Sequence, residues 1–251
     1  ITRYVRLLST KAPLFEKISE NTVLVRIPAF DHAFKKDIDA VIAKHLDTIL
    51  KTENLIIDIR GNGGGSDVSY ASLLPILYTN PIRTVGMEYL STELNNSRML
   101  GFLQNPHFSE EEKLWAKDGY DILNQHIGSY INIDEDVTVE TFDKIEPLPK
   151  SIGVLVDSSN GSTAEQFLLA AKQSKKVKLF GQTTAGVLDI SNMYQTDSPS
   201  GTFTLYYSLT KSLRIPHMAI DGVGIQPDYY IDGELPLYQW TSYTQKILEG
   251  M

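Results

Sequence analysis

The sequence predicts an α/β fold with a central mixed sheet. Residues 54–60, 151–157 and 177–181 are nearly continuous apolar runs of strand length, the pattern of strands buried on both faces. Around them, apolar residues recur at three- and four-residue spacing, as in helices laid against such a sheet. There is no internal repeat.

Each element follows from its local pattern. Residues 4–8 (Tyr-Val-Arg-Leu-Leu) read as a strand, with irregular sequence from there to Glu20. Residues 22–27 are rich in β-branched side chains and stop at Pro28, which predicts a strand. Residues 31–51 set Ile38, Val41, Ile42, His45, Leu46 and Ile49 at helical spacing. The run at 54–60 enters Gly61-Asn62-Gly63-Gly64-Gly65-Ser66, and a short helix is predicted around residues 70–77. Residues 85–150 are less regular, with one helix predicted over 109–125. After the strand at 151–157, a helix carries Ala164, Phe167, Leu168 and Ala171 along one face. Residues 190–213 alternate, most clearly at 202–207, and predict hairpins; a last helix spans 237–248.

Composition narrows the chemistry. The 251 residues include no cysteine, which excludes a disulfide scaffold, a thiolate metal site and a cysteine nucleophile. The formal net charge is −8, and residues 105–150 alone hold eleven acids against four bases. An acidic chain without a basic stripe is unsuited to nucleic acid, and its acidic block reads as a solvated insertion. No apolar run approaches the roughly 20 residues of a membrane helix, and residues 1–9 do not read as a signal peptide. No His/Asp/Glu cluster has metal-ligand spacing, and Asp134-Glu135-Asp136 reads as a solvated loop, so neither metal nor cofactor is expected.

Two loops carry the candidate chemistry. In the glycine run, Ser66 stands where a dinucleotide fingerprint needs its third glycine, and no lysine makes a phosphate loop. What remains is either a tight turn or a loop whose backbone closely approaches a ligand and offers N–H groups to negative charge. In Asn160-Gly161-Ser162-Thr163-Ala164-Glu165, Ser162 and Glu165 fit a helix capping box. A serine at a helix N-terminus is also placed for nucleophilic attack, with free N–H groups near the oxyanion it would create.

These stretches carry a family resemblance. Residues 58–65 (Asp-Ile-Arg-Gly-Asn-Gly-Gly-Gly) resemble the Asp-Leu-Arg-x-Asn-x-Gly-Gly signature of the C-terminal processing (tail-specific) serine peptidases. That family includes the tricorn protease core and retinoid-binding modules of the photoreceptor matrix. Residues 154–165 resemble its nucleophile segment, residues 181–186 its Gly-x-x-Thr-x-Gly turn, and residues 221–228 its closing Glu-Gly-x-Gly-x-x-Pro-Asp motif. Residues 25–30 look like its first core strand.

The resemblance implies a crotonase- and ClpP-like spiral of ββα units, forming a single catalytic core over residues 21–251 with an acidic insertion at about 105–150. Residues 1–20 would be the end of a PDZ domain, with a further upstream domain in the full-length protein and export to a periplasm or cell surface. It also implies Ser162 as nucleophile and the Gly65 and Thr163 amides as oxyanion hole, with Gly64 the neighbouring candidate. Polypeptide is the implied substrate.

The general base is less direct. The tail-specific branch places a lysine just after the Gly-x-x-Thr-x-Gly turn, and here that residue is Val187. The tricorn-like branch uses an upstream histidine plus an acid in the closing motif, where Asp221 stands. Of His32, His45, His107, His126 and His217, the last lies four residues before Asp221 and is the internal candidate; His45 reads as a packing residue. An alternative implied by the same family is an inactive member that binds peptide or a hydrophobic ligand. A crotonase-type acyl-CoA enzyme shares the oxyanion geometry but leaves Ser162 and the closing motif unexplained.

Overall fold

The computed structural model describes residues 1–106 and 108–250, so His107 lies outside the described residues. The first element is a helix, α1 (Thr2–Ser9), where the sequence predicts a strand. Its Leu7 is fully buried in a cluster with Leu24, Ile56 and Trp240, while Arg3 and Arg6 pair outward with Glu16. The segment covers a face of the sheet instead of extending it, and the edge is taken by β1 (Leu14–Lys17).

The chain continues through β2 (Thr22–Arg26), a 3₁₀ turn at His32–Phe34 capped by the Asp31 carboxylate, and α2 (Lys35–Ile49). Helix α2 buries Ile38, Ile42 and Ile49, and His45 stacks on Phe15 with ring centroids 4.0 Å apart, a packing role. Strand β3 (Asn54–Asp58) leads through the glycine loop to a 3₁₀ helix (Asp67–Leu73) and α3 (Leu74–Leu77). Next come β4 (Ile82–Val85), β5 (Met87–Leu90), α4 (Glu93–Leu103), α5 (Glu110–Asn124), β6 (Tyr130–Ile131) and β7 (Val137–Glu140). Then follow β8 (Ser151–Val156), α6 (Thr163–Ala171), β9 (Val177–Gly181), the hairpin β10 (Ile190–Asp197) and β11 (Thr204–Ser212), β12 (Tyr229–Tyr230), and α7 (Trp240–Gly250) after a 3₁₀ turn.

Two compact units result. The first, residues 1–83, 139–188 and 220–251, holds a six-stranded sheet in the order β1-β2-β3-β8-β9-β12. All its neighbouring strands are parallel except β1, which runs antiparallel to β2. Its four central strands, β2, β3, β8 and β9, are buried on both faces, as their apolar runs require. One face packs Leu55, Ile57, Ile152 and Val154 with residues of α2 and α6; the other packs Ile56, Leu155 and Phe180 with Trp240 and Leu248 of α7. The parallel strands all end on one side, and the glycine loop, the serine turn and the Gly-x-x-Thr-x-Gly turn leave from there.

The second unit, residues 84–138 and 189–219, joins an antiparallel sheet (β10-β11-β5-β6) to the paired helices α4 and α5 around Met99, Ala116 and Leu123. Helix α5 matches its prediction, opening on a capping box between Ser109 and Glu112. Helix α4 was not predicted. Asn95, Asn96 and Gly101 give it poor intrinsic propensity, and burial of Met99 against the partner helix overrides that. No helix among the described residues is long and apolar enough to cross a membrane.

Candidate active site

The site is built at the carboxyl end of β3. Asp58, fully buried, takes a two-pronged ion pair from Arg60, with Nε at 2.9 Å and Nη2 at 2.6 Å. A second guanidinium, Arg26 on β2, lies 3.5 Å from the same carboxylate and donates to the Asp58 carbonyl and to Leu7 on α1. Burial pushes the Asp58 carboxyl up, but the two guanidiniums more than offset this and hold it below the usual carboxylate value. This cluster anchors the strand end that launches the glycine loop.

Two buried asparagines then shape the loop. Asn62 accepts from the Gly64 N–H and donates to the Ile27 carbonyl. Asn160, just before Gly161, donates to the Ile59 and Asn62 carbonyls and so ties the serine turn to the glycine loop. Phe30 pairs with the loop's far end: its N–H donates to the Gly64 carbonyl, and its own carbonyl accepts from Ser66. Between those two bonds, the Gly65 N–H has no acceptor among the described residues. Gly64 needs its lack of a side chain. A Cβ there would lie 2.9 Å from Ser162 Cβ and 2.9 Å from the Thr163 nitrogen, and its φ is +110°.

Ser162 sits at φ +53°, ψ −126°, a backbone region that strains any residue with a Cβ. Its side chain makes no capping hydrogen bond, so the capping box that Ser162 and Glu165 fit in sequence does not form. Thr163 is the first residue of α6, and its N–H has no acceptor among the described residues, as expected at a helix start. Phe167 of the same helix packs with Phe30 and Tyr70 at 5.3–5.6 Å between ring centroids, fixing α6 against the segment after β2 that bridges to the loop. Gly64 thus abuts Ser162 Cβ and the Thr163 nitrogen on a strained turn, and the Thr163 and Gly65 N–H groups have no acceptor among the described residues. Such a set can stabilise a tetrahedral oxyanion next to an attacking oxygen.

Glu165 does something else. Fully buried, it accepts hydrogen bonds from the Thr184 hydroxyl, from Gly186 N–H at 2.7 Å and from Val187 N–H at 2.9 Å. It pins the Gly-x-x-Thr-x-Gly turn to the serine helix, and the Asn160 carbonyl holds Ala185 N–H on the other side. Val187 is thereby set over Gly161, its Cγ2 only 2.6 Å from where a Cβ on that glycine would stand. We expect Glu165→Ala, which leaves three donors unpaired, to lower stability by about 3 kcal/mol. An unchanged urea midpoint would refute this bracing role.

The closing motif docks on the same turn. Asp221 Oδ1 accepts from Leu188 N–H at 2.6 Å, and Thr184 and Ile225 are bonded through Thr184 Oγ1 and both backbones. His217 is exposed and belongs to the second unit, whereas Ser162, Gly64, Gly65, Thr163 and Asp221 all belong to the first. Asp58, Arg60, Asn62 and Asn160 stand in the motifs that carry the resemblance but were given no role in sequence, and Arg26 was not singled out. For Arg26 and Asp58 the signal was position, a charged residue closing a mainly apolar strand.

The sequence profile described as Peptidase family S41 matches residues 21–231. A protein of Chlamydia muridarum (strain MoPn / Nigg) is 25% identical over 268 aligned positions, which cover 91% of this chain and 44% of that one. The chain therefore spans less than half the length of that relative. Among solved structures, mature CPAF is similar with a TM-score of 0.62 at 18% identity, covering 91% of this chain and 50% of that one. The photosystem II D1 C-terminal processing protease is similar with a TM-score of 0.54 at 16% identity, covering 91% and 50%. These two likenesses show the fold. The profile match spans most of the chain and ends at Ile231, just past the last strand of the six-stranded sheet, and on that ground the chain belongs to Peptidase family S41, the C-terminal processing serine peptidases.

Proposed function

We propose that this chain is a serine peptidase core that hydrolyses peptide bonds in extended polypeptide. Ser162 Oγ attacks the scissile carbonyl, its proton passes to a base, and the Gly65 and Thr163 amides hold the oxyanion, with Gly64 keeping them in register. The C–N bond then breaks as the amine takes the proton, and water releases the acyl group from Ser162. The observation that carries this reading is the strained Ser162 backbone set against Gly64 and Thr163. Strain of this kind, worth about 1–3 kcal/mol, gathers at functional sites. Extended substrate would add as a strand beside the sheet, where main-chain pairing tolerates varied sequence.

No lysine dyad operates at residue 187, which is valine. On this reading the base is a histidine supplied from outside these residues, with His217 as the internal alternative. Asp221 orients that base or a substrate group while bracing residue 188. Val187 favours the second reading, a family member that binds peptide or a hydrophobic ligand without cleaving it.

A fluorophosphonate probe separates the two. It should label the full-length protein at Ser162, and Ser162→Ala should abolish the label. A folded full-length protein that neither takes the label nor hydrolyses casein would overturn the peptidase reading.

A further inference from the structure

At the β12 edge of the six-stranded sheet, an open cavity of about 370 Å³ is lined by Tyr230, Ile231, Asp232, Glu234, Leu235 and Tyr243. It shares no residue with the candidate active site, and β12 stands two places from β8 in the sheet, roughly 10 Å at the usual strand spacing.

The local sequence builds this cavity. Asp228 is already engaged, accepting from the Leu179 N–H and lying 3.5 Å from the Lys178 ammonium. Strand β12 then pairs with β9, and the buried Ile231 donates its N–H to the Gly181 carbonyl. The chain turns at Asp232-Gly233-Glu234, where Asp232 Oδ1 accepts from the Glu234 N–H at 2.9 Å. The Leu235 carbonyl accepts from Trp240 Nε1, and Tyr243 of α7 packs on the same apolar cluster. Two acids are thereby held beside two tyrosines.

That chemistry selects a cation. Neither Asp232 nor Glu234 forms an ion pair among the described residues, and no base lines the cavity. The tyrosine rings offer π faces to a positive charge, and Ile231 and Leu235 offer apolar surface to the methylene stem of a Lys or Arg side chain. The carboxylates can accept charge-assisted hydrogen bonds from its ammonium or guanidinium head, and they repel an anion.

The neighbouring edge decides what carries the cation. Strand β12 is the last of its sheet, so its outer side has no strand partner. The Ile231 N–H turns inward to β9, and the alternation of a parallel ladder turns the Tyr230 N–H and carbonyl outward. Tyr230 is 64% exposed. A free edge of this kind is a template for an extended polypeptide.

We propose that this cavity is a recognition site for an arginine or lysine side chain of an extended polypeptide laid along β12. The site acts by binding alone, so it does not depend on whether Ser162 cleaves.

The test uses the full-length protein carrying Ser162→Ala, so that no peptide is turned over. Short fluorescein-labelled, end-capped peptides of Ser, Thr and Val, with Arg, Lys, Gln or Glu at the centre, are titrated and followed by anisotropy. The Arg and Lys peptides should bind about 10-fold more tightly than the Gln peptide, and the Glu peptide more weakly still. Asp232→Asn combined with Glu234→Gln, which retains an acceptor for the turn, should bring the peptides within about 2-fold of one another. Free N-acetylarginine amide, the same cation without a strand, should compete roughly 100-fold more weakly than the Arg peptide. Urea midpoints confirm that each variant folds. Peptides that bind without regard to charge, or a charge preference that survives the double substitution, overturn the site. N-acetylarginine amide competing as well as the Arg peptide overturns the polypeptide assignment in favour of a free cation. A folded protein that binds none of the peptides overturns the proposal outright.

Discussion

Gly64→Ala is expected to cut fluorophosphonate labelling of Ser162 about 10²–10³-fold, the loss that follows removal of an oxyanion donor. The added methyl would meet Gly161 O at 2.8 Å, Ser162 Cβ at 2.9 Å and the Thr163 nitrogen at 2.9 Å. Backbone and a fixed Cβ cannot rotate away, and φ +110° is itself hostile to alanine. The loop must back off from the serine turn, carrying the Gly65 amide out of line with that of Thr163. One residue earlier the outcome reverses. A Cβ at Gly63 meets only the Ser159 carbonyl, at 4.0 Å, so Gly63→Ala should label at close to the wild-type rate. Labelling rate constants for both variants, with urea midpoints to confirm folding, decide the matter. Equal rates for Gly64→Ala and wild type would disprove the assigned oxyanion geometry.

Asp58→Asn should lower stability by about 3–5 kcal/mol, the usual cost of removing one partner from a buried ion pair. Two guanidiniums, Arg26 at 3% and Arg60 at 1% exposure, would lose their shared carboxylate. The loss is a large part of the roughly 5–15 kcal/mol that holds a typical domain together. The pH dependence has a definite sign. The Asp58 carboxyl is held below its ordinary value of 3.8, so the unfolded chain binds this proton more readily than the native one. Its stabilisation is complete above that value and is lost as the pH falls through the lower, folded-state pKa. Urea midpoints measured from pH 7 down to the acid limit should show wild type losing stability there and Asp58→Asn losing less. Parallel acid limbs would contradict the assignment.

How much could be read in advance depends on the range of the interaction. The strands at 54–60, 151–157 and 177–181 were legible because burial on both faces leaves an unbroken apolar run. The helix at 109–125 was legible because its capping box is local. Residues 4–8 misled because one buried leucine, Leu7, has no period, and packing on Trp240 and Ile56 made them helical. Glu165 misled because its spacing from Ser162 fits a cap, yet its true partners lie about twenty residues on.

The sequence by itself determined the α/β class, the four central strands β2, β3, β8 and β9, and the two loops that carry the candidate chemistry, Gly61–Ser66 and the turn at Ser162. Local periodicity and turn-forming residues suffice for these. Only the tertiary structure decided that Ser162 is held at positive φ and that Gly64 touches it. It also decided that Asn160 bonds carbonyls some hundred residues away and that Val187 is fixed over Gly161. Each of these depends on hydrogen bonds or contacts between segments far apart in the chain. Their geometry exists only once the parallel strands have brought their carboxyl ends to one side.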